Sequence, residues 1–408
     1  MRVVVVGAGL AAAHAVEELR NRGHQGTIAV FGTEPHLPYS RPPLSKGLLL
    51  GTEDEASVFV HDERWYADHS VELHLGTPVT GIDLDRGRIR AGGDDHDYDR
   101  LLLATGSTPR RLDAADTAGG AVAYLRTLED SRALRDAFRT GRHVVVVGAG
   151  WIGLEAAAAA RTAGCDVTVV EPLELPLLRV LGPEVAATFA VLHRAHGVDL
   201  RLATGIEELE SAGDGGQTVV HLDDGTQLTA DLLVVGIGVS PDDALAREAG
   251  LAVDNGVLVD ERLRASDPHV FAAGDVANHQ HPDLGRRIRV EHWDTAIEQG
   301  KVAARNMLGQ DEPYTRLPYF FTDQYDLGME YVGSVGPDGY DDVVLRGDPA
   351  GQFTAFWLKD GRVLAGMHVN DWDAIDPIRA LVGTEVSRDR LADEGTPYGS
   401  VARDNDNP

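Results

Sequence analysis

Residues 3–34 read VVVVGAGLAAAHAVEELRNRGHQGTIAVFGTE, and residues 144–174 read VVVVGAGWIGLEAAAAARTAGCDVTVVEPLE. Each copy opens on four valines, turns on glycines, runs through an alanine-rich stretch and returns to a β-branched run that closes on an acid. Valine runs without alternation predict strands covered on both faces, hence parallel sheets. The copies begin at Val3 and Val144, too far apart for a solenoid, so they predict two separate domains. The expected fold class is α/β: two Rossmann-like dinucleotide-binding domains followed by a C-terminal α+β domain.

The glycines carry the chemistry. Gly7-x-Gly9-x-x-Ala12 lies between strand and helix. The first glycine makes the tight turn, the second lets backbone approach a pyrophosphate, and a small third residue lets helix and strand pack closely. The helix N-terminus then faces the phosphates. Glu34 closes this copy, suited to a ribose hydroxyl. The second copy has the full pattern, Gly148-x-Gly150-x-x-Gly153, with Ile152 inside it and Glu171 ending the next strand. A carboxylate there accepts from ribose hydroxyls and repels a 2′-phosphate, which predicts NADH over NADPH. Arg179 reads as a surface arginine.

Strand-rich sequence follows each copy, with a hairpin turn at Asp224-Gly225. LLLATG (101–106) and VFAAGDVA (270–277) each read as a strand ending in a glycine turn, the second with a helix-like continuation. Residues 291–308 have helical periodicity. Beyond about 310 the sequence reads as antiparallel strands with a turn at Asp360-Gly361, then a helix from Asp371 to Leu381 and a frayed polar end from Gly395. The expected domains are 1–108 with 236–309, 109–235, and 310–408.

Composition narrows the function. A net charge of −28 disfavours nucleic acid and anionic membranes as partners. No apolar run reaches membrane-spanning length and no leader precedes Val3, which predicts a soluble, cytoplasmic protein. One cysteine, Cys165, excludes a disulfide framework and a cysteine-ligated metal. Cys165 reads as a small buried residue. His279 and His281 lack a suitably spaced third ligand, so they read as loop residues and no metal is expected.

These motifs in this order resemble the FAD-dependent, NADH-using ferredoxin reductases that serve bacterial haem monooxygenases and ring-hydroxylating dioxygenases. The resemblance runs over about residues 1–395. It rests on PYSRPPLSKGLLLG (38–51), both glycine motifs, ATGSTPR (104–110), VVGIGVSP (234–241), VFAAGDVA, RVEHWDTAIEQG (289–300) and FTDQYD (321–326). It implies the two-dinucleotide fold of glutathione reductase, with FAD in the first domain and NADH in the second. Arg41 and Lys46 are implied to lie along FAD, with Lys46 near its reactive ring. Val79 would meet adenine through its backbone, and Arg126 would approach the flavin. Asp275 would hold the ribityl and pyrophosphate region, and the Trp293 backbone would meet the ring's carbonyl edge. Ala104, Gly106, Gly238, Gly274, Glu291 and His292 complete the implied cofactor set. Glu155 is implied to sit near nicotinamide and pair with Lys46. Read by itself, an acid in the first turn of an otherwise apolar helix either complements the helix dipole or faces a cofactor, and Lys46 reads as a solvated lysine after a Pro-Pro turn.

The implied partners are an iron–sulfur ferredoxin that docks transiently and, through it, an oxygenase; the chain itself is expected to be a monomer or weak dimer. Tyr319 and Phe321 stand where relatives carry tryptophan, Phe320 reads as core, and Thr33 replaces an acid before Glu34. Thiol-dependent relatives need cysteine near residues 40–45, where this chain has Ser40 and Ser45. An NADH-dependent flavoprotein oxidase or redox-sensing protein of the same fold is the alternative. Arg110, Arg111, Arg286, Arg287, Arg289 and Arg316 are expected to form a ferredoxin-docking patch.

Overall fold

A computed structural model describes residues 1–213 and 216–402. They form two compact units: Met1–Pro43, Thr52–Pro109 and Val239–Arg316 in the first, and Leu44–Gly51, Arg110–Gly238 and 317–402 in the second.

The valine runs form the central strands of two parallel sheets. In the first unit, Val3–Val6 lies between Ile28–Phe31 and Arg100–Leu103, with Val71–His74 and Val270–Ala272 at the edges. In the second, His143–Val147 lies between Asp166–Glu171 and Leu232–Val235, with Asp199–Leu202 and Val122–Ala123 at the edges. All four residues of Val3–Val6 are buried, as a strand covered on both faces requires. Each sheet carries a three-stranded antiparallel meander, Val79–Asp83 to Asp94–Asp97 in the first unit and Ile206–Ser211 to Gln227–Ala230 in the second.

The C-terminal part is a five-stranded antiparallel sheet made from Tyr319–Gln324, Leu327–Gly333, Asp342–Gly347, Phe353–Lys359 and Arg362–Val369. Its Asp360-Gly361 turn has both residues at positive φ, the geometry that matches hairpin twist. This sheet shares one hydrophobic core with the second parallel sheet: Met329, Tyr331, Phe353 and Trp357 cluster with Leu154, Leu181 and Phe189.

Four local expectations differ from the structure. The continuation after Gly274-Asp275 is a strand, Ala277–His281, rather than a helix. His279 and His281 sit on that strand, fully buried, so they are core residues and not loop residues. The late helix spans Ile375–Leu381 only. The polar end is also anchored as far as it is described, because Val401 is buried and Tyr398 donates to Thr354 Oγ1 at 3.1 Å. Residues 403–408 lie outside the described residues.

Candidate functional site

Helix Leu10–Asn21 begins at Gly9 and helix Trp151–Thr162 at Gly150. Neither N-terminus has a side-chain cap or an acid in its first turn. A helix start normally recruits such a group to satisfy its orphan N–H donors. A Cβ built on Gly9 or Gly150 meets no protein atom within 4 Å. Open space over uncapped amides fits a pyrophosphate at both places.

The flanking glycines serve the fold. A Cβ on Gly7 would stand 2.1 Å from the Ala104 carbonyl oxygen, and one on Gly153 2.1 Å from that of Gly148. Gly7 and Gly148 also have φ of 105° and 98°. Ala12, the third residue of the first motif, is fully buried without glycine's close approach.

In the first unit Glu34 accepts from Arg41 Nη2 at 2.7 Å and from the Tyr39 hydroxyl at 2.5 Å. Arg41 also donates to Tyr39 at 2.9 Å, so acid, phenol and guanidinium form one brace beside the first glycine motif. Asp275 accepts from Ser107 Oγ at 2.7 Å, while its backbone carbonyl accepts from Arg289 at 3.1 Å. Arg289 pairs with Glu291 at 2.6 Å. Gly274 N–H donates to the buried Gln299 side chain at 2.9 Å. The Gly274-Asp275 turn is therefore fixed by the EHW segment and the helix after it. His292 caps that helix, Trp293–Met307, through Asp294 N–H, which places the Trp293 backbone at a helix N-terminus. Val79 opens its meander strand, and Thr105 between Ala104 and Gly106 donates to the Asp242 carbonyl at 2.7 Å.

In the second unit Glu171 accepts from Ala149 N–H at 2.8 Å and from Leu173 N–H at 3.0 Å. It braces the glycine turn. Ile152 and Ile237, large apolar side chains near this turn, are 43 % and 38 % exposed. A Cβ on Gly148 would lie 3.5 Å from Ile237 Cγ2. Gly238 has φ of 93° and its carbonyl accepts from Arg110 N–H at 2.9 Å. Arg126 N–H is held by Asp130, part of the capping box of helix Leu128–Ala137.

Lys46 and Glu155 meet in this unit. Segment Leu44–Gly51 packs here: Leu49 enters the second core and the Leu44 carbonyl accepts from Ser131 Oγ at 2.8 Å. Lys46 Nζ lies 2.8 Å from Glu155 Oε1 and 5.0 Å from the Phe321 ring centroid. Both partners are largely buried, which removes the solvated-lysine reading. Ser45 Oγ and Thr322 Oγ1 also donate to Glu155. Helix Trp151–Thr162 puts Glu155 in its second turn rather than near the dipole's end, so the carboxylate answers to these side chains. Burial pushes the neighbouring Asp323 carboxyl up, against the pull of Lys46.

Sequence reasoning missed Ile237, Thr322, Ser107 and Gln299. Gln299 alone left a trace, as a polar residue on the apolar face of its helix. The expected arginine patch is not presented as free cations. Arg316 makes a bidentate pair with Asp294 at 2.6 Å, and Arg287 donates to the Val259 and Asn278 carbonyls at 2.8 and 2.9 Å. Arg111 pairs with Asp116 at 2.8 Å, and Arg289 is committed as above. Cys165 is buried and donates to the Arg139 carbonyl at 3.2 Å. Among the described residues no three His, Cys, Asp or Glu are grouped to hold a metal, and no helix is long and apolar enough to cross a membrane.

His279 is packed against Tyr314 and hydrogen-bonded to Gln299 at 3.2 Å. Burial, with His281 and Arg287 nearby, pushes its imidazole down to about 3. An unfolded histidine titrates near ~6.5, so its contribution to stability is whole above that value and is lost progressively as pH falls towards the folded one. His279→Asn is expected to flatten the fall in stability between those limits in chemical unfolding. An unchanged slope would show that other groups set it.

The profile for the pyridine nucleotide-disulphide oxidoreductases matches residues 1–300, and that for the reductase C-terminal domain matches residues 319–402. The chain belongs to the pyridine nucleotide-disulphide oxidoreductase family. As a member it is an oxidoreductase that uses FAD and NAD(H). It is 44 % identical over 396 residues to the ferredoxin–NAD(+) reductase component of the anthranilate 1,2-dioxygenase system of Burkholderia cepacia, covering 96 % of each chain. It is 37 % identical over 388 residues to rhodocoxin reductase of Rhodococcus erythropolis, covering 95 % of this chain and 90 % of that one. Its fold matches the reductase in the covalent putidaredoxin reductase–putidaredoxin complex with a TM-score of 0.93 and 37 % identity, over 98 % of this chain and 97 % of that one.

Proposed function

We propose that the chain takes hydride from NADH onto FAD and delivers single electrons to an iron–sulfur ferredoxin, which supplies a haem monooxygenase or ring-hydroxylating dioxygenase. The observation that carries this reading is the environment of Glu155. Thiol-dependent relatives keep a cysteine near residues 40–45; here Ser45 donates to Glu155 beside Lys46, an arrangement for holding charge rather than exchanging disulfides.

FAD, when bound, supplies the conversion of a two-electron donor into one-electron steps. Residues 1–108 with 236–309 would hold it. The Gly9 helix amides would face its pyrophosphate, and Glu34 and Arg41 would order the ribose end. Val79 would meet adenine, Ala104, Gly106, Gly274 and Asp275 would line the middle, and Glu291, His292 and Trp293 would meet the ring end. Lys46, with Arg126, would set positive charge against the ring. Residues 109–235 would hold NADH through the Gly150 amides, Ile152, Glu171 and Gly238, and 310–408 would form the third domain. The protein would work in the cytoplasm, as a monomer or weak dimer, with its ferredoxin docking transiently.

The test is NADH-driven reduction of oxygenase-system ferredoxins, putidaredoxin among them, set beside ferricyanide. NADH is expected to support both reactions, with NADPH at least about 10-fold weaker in kcat/KM, equivalent to ~1.4 kcal/mol. Glu171→Gln should narrow that ratio several-fold, because the charge that repels a 2′-phosphate is gone while an acceptor for the turn remains. Ferricyanide reduction with no reduction of any ferredoxin would defeat the proposal. NADPH equal to NADH would defeat the cofactor preference.

A further inference from the structure

Behind Glu155 the second unit carries a buried file of polar side chains. Thr322 Oγ1 lies 2.6 Å from Glu155 Oε1, Gln324 Nε2 lies 3.1 Å from Thr322 Oγ1, and His193 Nε2 lies 2.8 Å from Gln324 Oε1. Thr322 and His193 are wholly buried and Gln324 nearly so. Their protons can be placed from one end. A carboxylate only accepts, so the single Thr322 hydroxyl proton goes to Glu155. Thr322 can then only accept from Gln324, which must present its amide N–H₂. The Gln324 carbonyl is left facing His193, whose proton therefore sits on Nε2. Burial pushes the His193 imidazole down, in keeping with a neutral ring. Every donor in the file points towards Glu155, so the bond dipoles add in the direction that favours its negative charge.

We propose that Gln324 and His193 are positioning residues that hold Glu155, and through it Lys46, in place by this one-way file of hydrogen bonds. The inference rests on the reading that Lys46 serves the flavin. No proton need travel along the file, since its middle member is an amide. Its role is to fix a buried carboxylate that Lys46, Ser45 and Thr322 all address. Lysine is a compact point charge on a flexible stem, so its place depends on its partner. The chain has only three lysines, Lys46, Lys301 and Lys359, which makes that place measurable.

The experiment uses flavin-loaded protein labelled at lysine side chains, with the Lys46 ammonium signal assigned by its loss in Lys46→Arg. Gln324→Met and Thr322→Val keep approximate size and break the file. Each should shift or broaden the Lys46 signal, leave those of Lys301 and Lys359 in place, and slow flavin reduction by NADH about 5- to 30-fold at unchanged FAD content. Thr322→Val with Gln324→Met should be little worse than either alone, because both cut one file. Thr322→Ser, which keeps the hydroxyl, should recover most of what Thr322→Val loses, and it decides the matter if Gln324→Met does not fold. A Lys46 signal unmoved in both variants, or additive losses in the double, would overturn the proposal. A signal that moves while flavin reduction does not would uphold the file and sink the assignment of Lys46 to the flavin.

Discussion

Gly150→Val is expected to give a folded, yellow protein that has lost its grip on NADH, with KM raised on the order of 100-fold. At Gly150 the backbone is extended, with φ of −79°, which valine adopts without strain, and its Cβ meets no protein atom within 4 Å. The folding cost is confined to a poorer helix cap, about 1 kcal/mol, or a fall in Tm of at most ~2–4 °C. The functional cost is larger, because the added methyls occupy the space over the helix amides that the pyrophosphate needs; a 100-fold loss corresponds to ~2.7 kcal/mol. Gly153→Ala should do the opposite, since its Cβ would stand 2.1 Å from the Gly148 carbonyl oxygen and the turn itself must move. That variant should be destabilised or insoluble. Gly9→Val is the matching control in the first unit, losing FAD while folding normally. Titration calorimetry and thermal unfolding separate the cases. Normal NADH affinity in Gly150→Val would remove the second glycine turn from the binding site.

The contrast between Gly150 and Gly153 also shows what the sequence makes legible. The turn, the helix start and the acid after the next strand are local demands on neighbouring residues, so they leave a fixed spacing in the chain, twice over. The same holds for Asp360-Gly361, where two positive-φ residues announce a hairpin. What could not be read are partnerships made across long stretches of chain. Leu44–Gly51 is one: nothing in LSKGLLLG says that these residues belong to the second unit and pack with helices Leu128–Ala137 and Trp151–Thr162. His193, Gln324 and Thr322 are another, brought to Glu155 from separate elements. His279 and His281 are another case, because His-Gln-His looks like polar loop sequence. Their side chains are instead absorbed by Tyr314, Gln299 and the Arg316 carbonyl. Resemblance to a family supplied Lys46 and Glu155 as a pair, and the structure supplied the reason they meet.

Trp357→Ala is expected to unfold the second parallel sheet together with the C-terminal sheet. Its side chain is wholly buried in strand Phe353–Lys359, and its indole N–H donates to the Leu181 carbonyl at 3.2 Å. Leu181 lies just before the kink at Gly182, and the helix beyond that kink packs under the second parallel sheet through Val185 and Phe189, in the same core as Leu181. The two sheets share this core, while each also packs a cluster of its own: Val344, Phe356 and Ile378 on the C-terminal sheet, and Val145, Val170 and Leu233 on the parallel one. Removing a buried tryptophan costs about 3–5 kcal/mol, a large share of the ~5–15 kcal/mol that holds a protein folded. Trp357→Phe keeps most of the packing and gives up one hydrogen bond, so its cost should be about 1 kcal/mol. Chemical unfolding followed by NADH binding and by tryptophan fluorescence should give a single midpoint for the second unit, shifted together in Trp357→Ala. A chain ending after Arg316 should not yield a folded second parallel sheet, because Met329, Tyr331, Phe353 and Trp357 would be missing from that core. Two well-separated midpoints, with NADH binding surviving loss of the C-terminal sheet, would mean that the shared core is divisible and that the C-terminal sheet is an attachment rather than a structural part of the nucleotide site.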